Sequence, residues 1–229
     1  MKSHFKKTDL ELKTDVLAEL RYEPGVEVTD IGVLVKDGAV TLNGFVTSYG
    51  ERSDAVRATK RVAGVIAIAD DMEVKLPNSV LRTDGEIAAA AANQINWSST
   101  TIPPKGIEVT VREGRITLEG EVEWWYQKSS AESAVQHLAG VKGVTNLITI
   151  KPKLSPANIE TDIQSAFKRN ALFDARKIQV EACGNKVILR GTVRNYAEQE
   201  EAERVAWAAA EVYSVDNQIK VAWSGGFSA

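Results

Sequence analysis

One strand pattern, with a glycine at a fixed position, occurs three times along this chain of 229 residues. The copies read VTLNGFV (40–46), ITLEGEV (116–122) and VILRGTV (187–193). Gly44, Gly120 and Gly191 hold the same place in them, at intervals of 76 and 71 residues. Repetition at such a period indicates a supersecondary unit arranged in tandem, so the fold has to be built from three similar pieces.

Alignment on these glycines predicts the same order of elements in each copy. Alternating apolar positions on both sides of a turn, which reads KDG, REG or CGN, predict a β-hairpin. Apolar residues at i, i+3, i+4 and i+7 then predict an amphipathic helix, a third alternating run predicts a last strand, and a further helix opens each copy. We therefore expect an α+β protein with three tandem αββαβ units, at 1–77, 78–154 and 155–229. Each unit should hold a small three-stranded mixed sheet covered by two helices.

The recurrent glycines Gly44, Gly120 and Gly191 are interpreted as structural residues. They fall in phase with the buried positions of their strands, where a side chain would point inward. Either a helix packs close to the backbone there or the strand contains a bulge, and the sequence leaves both alternatives open. No phosphate-loop pattern surrounds them.

A polar residue also recurs, on the buried face of the third strand of each unit. It is Asp70 in the first copy, Asn146 in the second and Asn217 in the third. Because buried polar groups are normally hydrogen-bonded, we expect each to bond to nearby backbone. A role as a ligand group is the alternative.

Composition and charge exclude several classes of function. The net charge is −3 and no third of the chain is basic, which argues against nucleic-acid binding. No apolar run is long enough for a transmembrane segment. The single cysteine, Cys183, excludes an intramolecular disulfide, and His4 and His137 lack neighbours at metal-ligand spacing. We expect no metal, no cofactor and no enzymatic activity, since no titratable groups are arranged for catalysis.

The amino-terminal stretch is charged throughout and lacks the apolar core of an export signal. The expectation is therefore a cytoplasmic protein for the sequence as written, or a periplasmic one if a native leader was removed.

Aromatic residues are concentrated in the middle unit, in EWWYQK (123–128). Trp125 aligns with Tyr49 and Tyr196, a pattern typical of a staple that fixes how the chain enters a helix. Trp124 has no aromatic counterpart in the other copies and is predicted to be exposed. With Trp97 and residues 102–104, it forms either a membrane-interface or partner patch, or a packing surface between units.

The whole pattern resembles the BON domain family. The hairpin V-x-L-x-G-x-V carries the resemblance, together with a late GV before the last strand, at 64–65 and 140–141. The third copy has EV at 211–212 instead. The resemblance implies a non-enzymatic protein of osmotic or envelope stress that binds phospholipid, and one cytoplasmic relative binds potassium.

The resulting hypothesis is a stress-associated protein that binds phospholipid or a membrane-associated partner, with Trp97, Trp124 and Trp125 as contacts. The alternatives are a cytoplasmic potassium-responsive module and a protein-interaction scaffold. The sequence leaves the oligomeric state open.

Overall fold

Three αββαβ units follow one another in the computed structural model, which describes residues 7–98, 106–151, 159–170, 174–209 and 212–222. The first unit comprises α1 (Asp9–Tyr22), β1 (Ile31–Lys36), β2 (Ala39–Val46), α2 (Tyr49–Arg61) and β3 (Ala67–Val74). The second comprises α3 (Asp84–Trp97), β4 (Ile107–Arg112), β5 (Arg115–Val122), α4 (Trp125–Val135), β6 (Gly143–Asn146) and β7 (Thr149–Ile150). The third comprises α5 (Ile159–Arg169), β8 (Ile178–Cys183), β9 (Lys186–Val193), α6 (Tyr196–Trp207) and β10 (Ser214–Val221). The predicted fold class is confirmed.

The return strand of each hairpin lies at the centre of its sheet. It pairs antiparallel with the strand before it and parallel with the last strand of the unit. A parallel pair needs a crossover, which the second helix of the unit provides. In the middle unit the last strand is split into β6 and β7, which both pair with β5 on either side of Leu147.

Each unit has a hydrophobic core of its own, between one face of its sheet and its two helices. The aligned core leucines and helix alanines are fully buried: Leu42, Leu118, Leu189, Ala55, Ala131 and Ala202. The small helix residues let the second helix lie close to the sheet. Among the described residues no helix covers the opposite face of any of the three sheets, and we call this face the bare face.

The start of the first helix is tied to the tip of the hairpin in the first two units. The Asp9 carboxylate accepts hydrogen bonds from the backbone N–H groups of Asp37 (2.8 Å) and Gly38 (3.1 Å). Asp84 does the same at residues 113 and 114, at 2.8 Å each. Both turns have positive φ at two successive residues, which confirms the predicted hairpin chemistry. The first helix therefore starts at the hairpin end of its unit and runs toward the other end.

Each repeat glycine lies against backbone, and the helix suggested as a neighbour is not what the structure shows there. Gly44, Gly120 and Gly191 have φ of 104°, 137° and 145°. A Cβ atom on Gly120 would lie 1.7 Å from the carbonyl oxygen of Gly106. At Gly44 and Gly191 the corresponding distances are 2.0 Å, to the carbonyls that precede β1 and β8. The backbone carbonyl just before the first strand of each unit leaves no room for a side chain, so glycine is required at these positions.

Aligned tyrosines join the units. Tyr49 packs against the core of the middle unit, and burial raises the pKa of its phenol, with the Glu132 carboxylate adding to the rise. Tyr196 packs against the core of the first unit, and its hydroxyl donates to the carbonyl of Ile66 at 2.7 Å. The alignment predicted a contact within each unit, so for these two tyrosines the contact between units corrects the staple interpretation.

The two junctions between units also use polar side chains from the same aligned positions of the repeat. Ser53 Oγ donates to Gln136 Oε1 at 3.5 Å between the first and second units. Lys60 and Glu200, which occupy the aligned positions, form an ion pair between the first and third units. The same surfaces of the repeat are therefore used twice, with different chemistry.

Candidate functional site

The exposed tryptophans lie at one end of the middle unit. Trp97 ends α3, a helix of 14 residues or about 21 Å that starts at the hairpin tip. Trp124 directly precedes α4, which begins where β5 ends, opposite the hairpin tip. Trp97 is 87% exposed, Tyr126 50% and Trp124 37%, while Trp125 is partly buried. We call this surface, formed by Trp97, Trp124 and Tyr126, the aromatic end. Residues 102–104, predicted to belong to it, lie outside the described ranges.

Trp124 occupies a position that the other units use to cap a helix. Ser48 and Asn195, at the aligned positions, accept hydrogen bonds from backbone N–H groups of their helices at 3.1 and 2.8 Å. An indole cannot accept such a bond. The side chain of Gln127 instead accepts from the backbone N–H of Trp124 at 3.0 Å. Loss of an N-cap side chain typically costs about 1 kcal/mol. We therefore expect α4 to be less stable with tryptophan at this position than it would be with serine or asparagine.

Carboxylates lie at the same end of the middle unit as the aromatic residues. On the bare face Glu108 and Glu119 are direct partners across β4 and β5. Glu121 and Glu123 follow at the end of β5, and Glu121 forms an ion pair with Lys151. Like charges placed directly opposite repel each other. This end of the bare face is therefore acidic.

The opposite end of the same bare face is basic, a feature that the sequence analysis missed. Arg112 and Arg115 are direct partners across the hairpin, and both are exposed. Within the described part of the chain, no ion pair or hydrogen bond compensates either guanidinium. The signal was readable, because a two-residue turn places the residues on its two sides opposite each other. Charge on this face is thus separated, acidic at the aromatic end and basic at the hairpin tip.

An open cavity of about 470 Å³ lies where the first two units meet. Its polar lining comes from all three units: Tyr49, Arg52, Ser53, Arg57, Lys60 and Asp70 of the first, Arg115 and Thr145 of the second, and Glu200 of the third. Gly143, the partner of Arg115, has no side chain, and the guanidinium lies over it: a Cβ there would be 3.0 Å from a guanidinium nitrogen. Arg115 thereby reaches the cavity from the bare face.

The recurrent polar residues of the third strand are bonded to backbone, as predicted. The side-chain oxygens of Asp70, Asn146 and Asn217 each accept from the N–H two residues further on, at 3.2 Å. Their other atoms bind the second helix of the same unit. Asp70 pairs with Arg52 at 2.8 Å, whereas Asn146 donates to Glu132 at 3.1 Å and Asn217 to Glu203 at 2.9 Å. They hold the edge strand to the helix.

The described residues contain neither a metal cluster nor a membrane-spanning helix. In the described ranges no three His, Cys, Asp or Glu side chains are grouped so that they could hold a metal ion. No helix there is long and apolar enough to cross a bilayer. Cys183 is a free, exposed thiol at the hairpin of the third unit, and His137 lies beside Gly50 at the first junction. His4 is outside the described residues.

Comparison with known proteins identifies the repeat. The family model of the BON domain matches this chain three times, at residues 8–75, 83–152 and 155–222. The chain is 30% identical to the Osmotically-inducible protein Y of Escherichia coli (strain K12) over 146 residues, which cover 62% of this chain and 73% of that protein.

Among solved structures, the C-terminal domain of CdsD, a structural protein of the type III secretion system of Chlamydia trachomatis, aligns over 95% of this chain and 100% of its own. The identity is 14% and the TM-score 0.25. A second CdsD structure gives 14% and 0.24, over 91% of each chain. Likenesses this weak do not guide the interpretation.

Proposed function

Because the chain belongs to the BON domain family, we propose that it is a non-enzymatic, stress-associated binding protein that docks on phospholipid or on a membrane-associated partner. The similarity to an osmotically inducible protein supports the stress association. The aromatic end is the proposed contact, with Trp97, Trp124 and Tyr126 exposed and Trp125 supporting them from a partly buried position.

One observation carries this assignment: the middle unit has an indole where the other two units have a helix cap. A substitution that lowers stability and exposes apolar surface is expected where a surface has a binding role. Indole is amphipathic and suits the boundary between headgroups and acyl chains. The carboxylates at the same end of the unit favour zwitterionic over anionic lipid, because an anionic surface would repel them.

Co-sedimentation with vesicles tests the proposal. The intact chain should pellet with phosphatidylcholine vesicles, and adding phosphatidylglycerol should weaken the pelleting. Trp124→Ser and Trp97→Ser should each reduce it several-fold. Tyr213→Ser is the matched control, because Tyr213 is an exposed aromatic residue of the third unit, 52% exposed, and its replacement should leave pelleting unchanged. Failure of the intact chain to pellet with either lipid would remove phospholipid from the proposal.

Trp124→Ser should also make the protein more stable while it weakens binding. Serine at this position can accept from the backbone N–H of Gln127, as Ser48 does from Glu51 at 3.1 Å. The restored cap is expected to add about 0.5–2 kcal/mol to the free energy of unfolding. Urea denaturation of the wild type, Trp124→Ser and Ser48→Ala measures this, and Ser48→Ala should shift the midpoint the other way. A loss of stability in Trp124→Ser would show that the indole is a packing residue.

A further inference from the structure

The hairpin of the middle unit carries an arginine on each side of its turn. Arg112 and Arg115 are Cα partners on the bare face, where like charges opposite each other destabilise a sheet. The first unit has Lys36 and Ala39 at these positions, and the third has Cys183 and Lys186. The paired guanidiniums are therefore specific to the middle unit and are not a requirement of the fold.

Four carboxylates lie near this pair, and Glu113, in the turn between the two arginines, is exposed. Asp70 is paired with Arg52, and Glu200 with Lys60. The carboxylate of Asp84, beside the tip, accepts from the two backbone N–H groups of the turn at 2.8 Å each. The cavity is lined by more cationic than anionic side chains. Arg52, Arg57 and Lys60 have ion-pair partners, and among the described residues Arg115 has none.

We propose that Arg112 and Arg115 form an anion-binding site for a phosphate group, at the mouth of the cavity between the first two units. Guanidinium groups present planar pairs of donors that match phosphate oxygens, and two of them can hold one phosphate from both sides. A bound dianion removes the repulsion between the two arginines. The hydroxyl of Thr145, which lines the same cavity, is an additional donor within the site.

This site is separate from the aromatic end, because the hairpin tip and the end of β5 are at opposite ends of the unit. The phosphate can belong to a free anion or to a lipid headgroup that reaches the tip. Arg57 and Lys60 on the far wall come from the first unit, so a ligand that extends into the cavity contacts both units. Binding should therefore stabilise their junction as well as the middle unit.

The test uses the full chain and inorganic pyrophosphate, at an ionic strength held constant with sodium chloride. Isothermal titration calorimetry should detect binding to the wild type, and Arg112→Gln and Arg115→Gln should each weaken it about tenfold or more. Arg176→Gln is the control, since Arg176 is 90% exposed and paired with Asp174 in the third unit. Its affinity should equal that of the wild type.

Thermal unfolding gives a second readout, in which the tip variants should differ from the wild type in opposite directions without and with pyrophosphate. Without pyrophosphate, Arg112→Gln should raise the melting temperature by about 1–3 °C, because the repulsion with Arg115 is gone. With pyrophosphate, the wild type should gain stability and the two tip variants should not. Circular dichroism confirms that the variants are folded.

Vesicles of phosphatidylcholine with and without phosphatidic acid distinguish the two phosphate sources. Binding to pyrophosphate assigns a free anion, and binding only to phosphatidic acid, lost in Arg115→Gln, assigns a headgroup. Trp124→Ser should leave pyrophosphate binding unchanged, so this inference and the proposed function fail independently. The inference is overturned if neither phosphate source binds, or if Arg176→Gln weakens binding as much as the tip variants do.

Discussion

Gly120→Ala should unfold the middle unit or leave it barely stable. The added methyl group would lie 1.7 Å from the carbonyl oxygen of Gly106, far inside van der Waals contact, and the neighbour is backbone that cannot turn aside. The φ of 137° is, in addition, a conformation that residues with a side chain rarely adopt. Strain and displacement together should lower the free energy of unfolding by about 3–5 kcal/mol. Urea denaturation followed by circular dichroism measures the loss.

Two other glycines separate the contributions of strain and contact. Gly184 has a φ of 62°, but a Cβ there would meet nothing within 4 Å, so Gly184→Ala should cost only about 1–2 kcal/mol. Gly85, in the first turn of α3, has neither constraint, and Gly85→Ala should be neutral or stabilise by up to about 1 kcal/mol. If Gly120→Ala were no worse than Gly184→Ala, the backbone at Gly106 would have to relax freely.

The repeat itself was readable because its signals are local. Period-two runs, amphipathic spacing and the KDG and REG turns depend only on neighbouring residues, and the structure has the predicted αββαβ order in all three units. The neighbour of Gly120 was not readable, because it depends on the pairing of β4 with β5, which brings Gly106 against Gly120. The break at Leu147 is similar: the alternation continues through it, and only the pairing with β5 shows two separate segments.

The residues of the candidate site also fall into those that the sequence predicted and those that it did not. Alignment marked Trp124 as the residue that departs from its counterparts, and the structure places it at the surface beside α4. The roles of Tyr49 and Tyr196 were missed, because a contact between units leaves no periodic pattern within a unit. Arg112 and Arg115 were passed over for a different reason. Net charge per unit hides a charge separation that appears only when strand register is applied to each face.

Asn146→Asp tests whether the polar residue of the third strand is matched to its helix. Asn146 Nδ2 donates to Glu132 Oε2 at 3.1 Å and to the carbonyl oxygen of Lys128 at 2.9 Å. Aspartate would replace both donors by an acceptor and place two carboxylates in contact. The loss of two hydrogen bonds and the added repulsion should lower stability by about 2–3 kcal/mol at pH 7. Thermal and urea unfolding measure the change.

The first unit shows how the same aspartate is accommodated, and this gives the control. There Asp70 faces Arg52, and the position of Glu132 is taken by Val56. Glu132→Val combined with Asn146→Asp copies that arrangement, with Lys128 in place of Arg52, and should recover most of the lost stability. A double variant no more stable than Asn146→Asp would show that the lost donors, and not the repulsion, dominate.

The loss in Asn146→Asp should depend on pH. Contact between the two carboxylates raises the pKa of one of them in the folded state above its unfolded value of about 4. The folded protein then binds a proton more tightly than the unfolded chain. The repulsive part of the penalty is therefore complete above the raised pKa and is lost as the pH falls to about 4, while the part due to the lost hydrogen bonds remains. The stability gap to the wild type should therefore narrow from pH 7 to pH 4. The double variant has no second carboxylate at that position, so this narrowing should be absent. An ion pair of the introduced aspartate with Lys128 would lower the carboxyl pKa, and the gap would then widen as the pH falls.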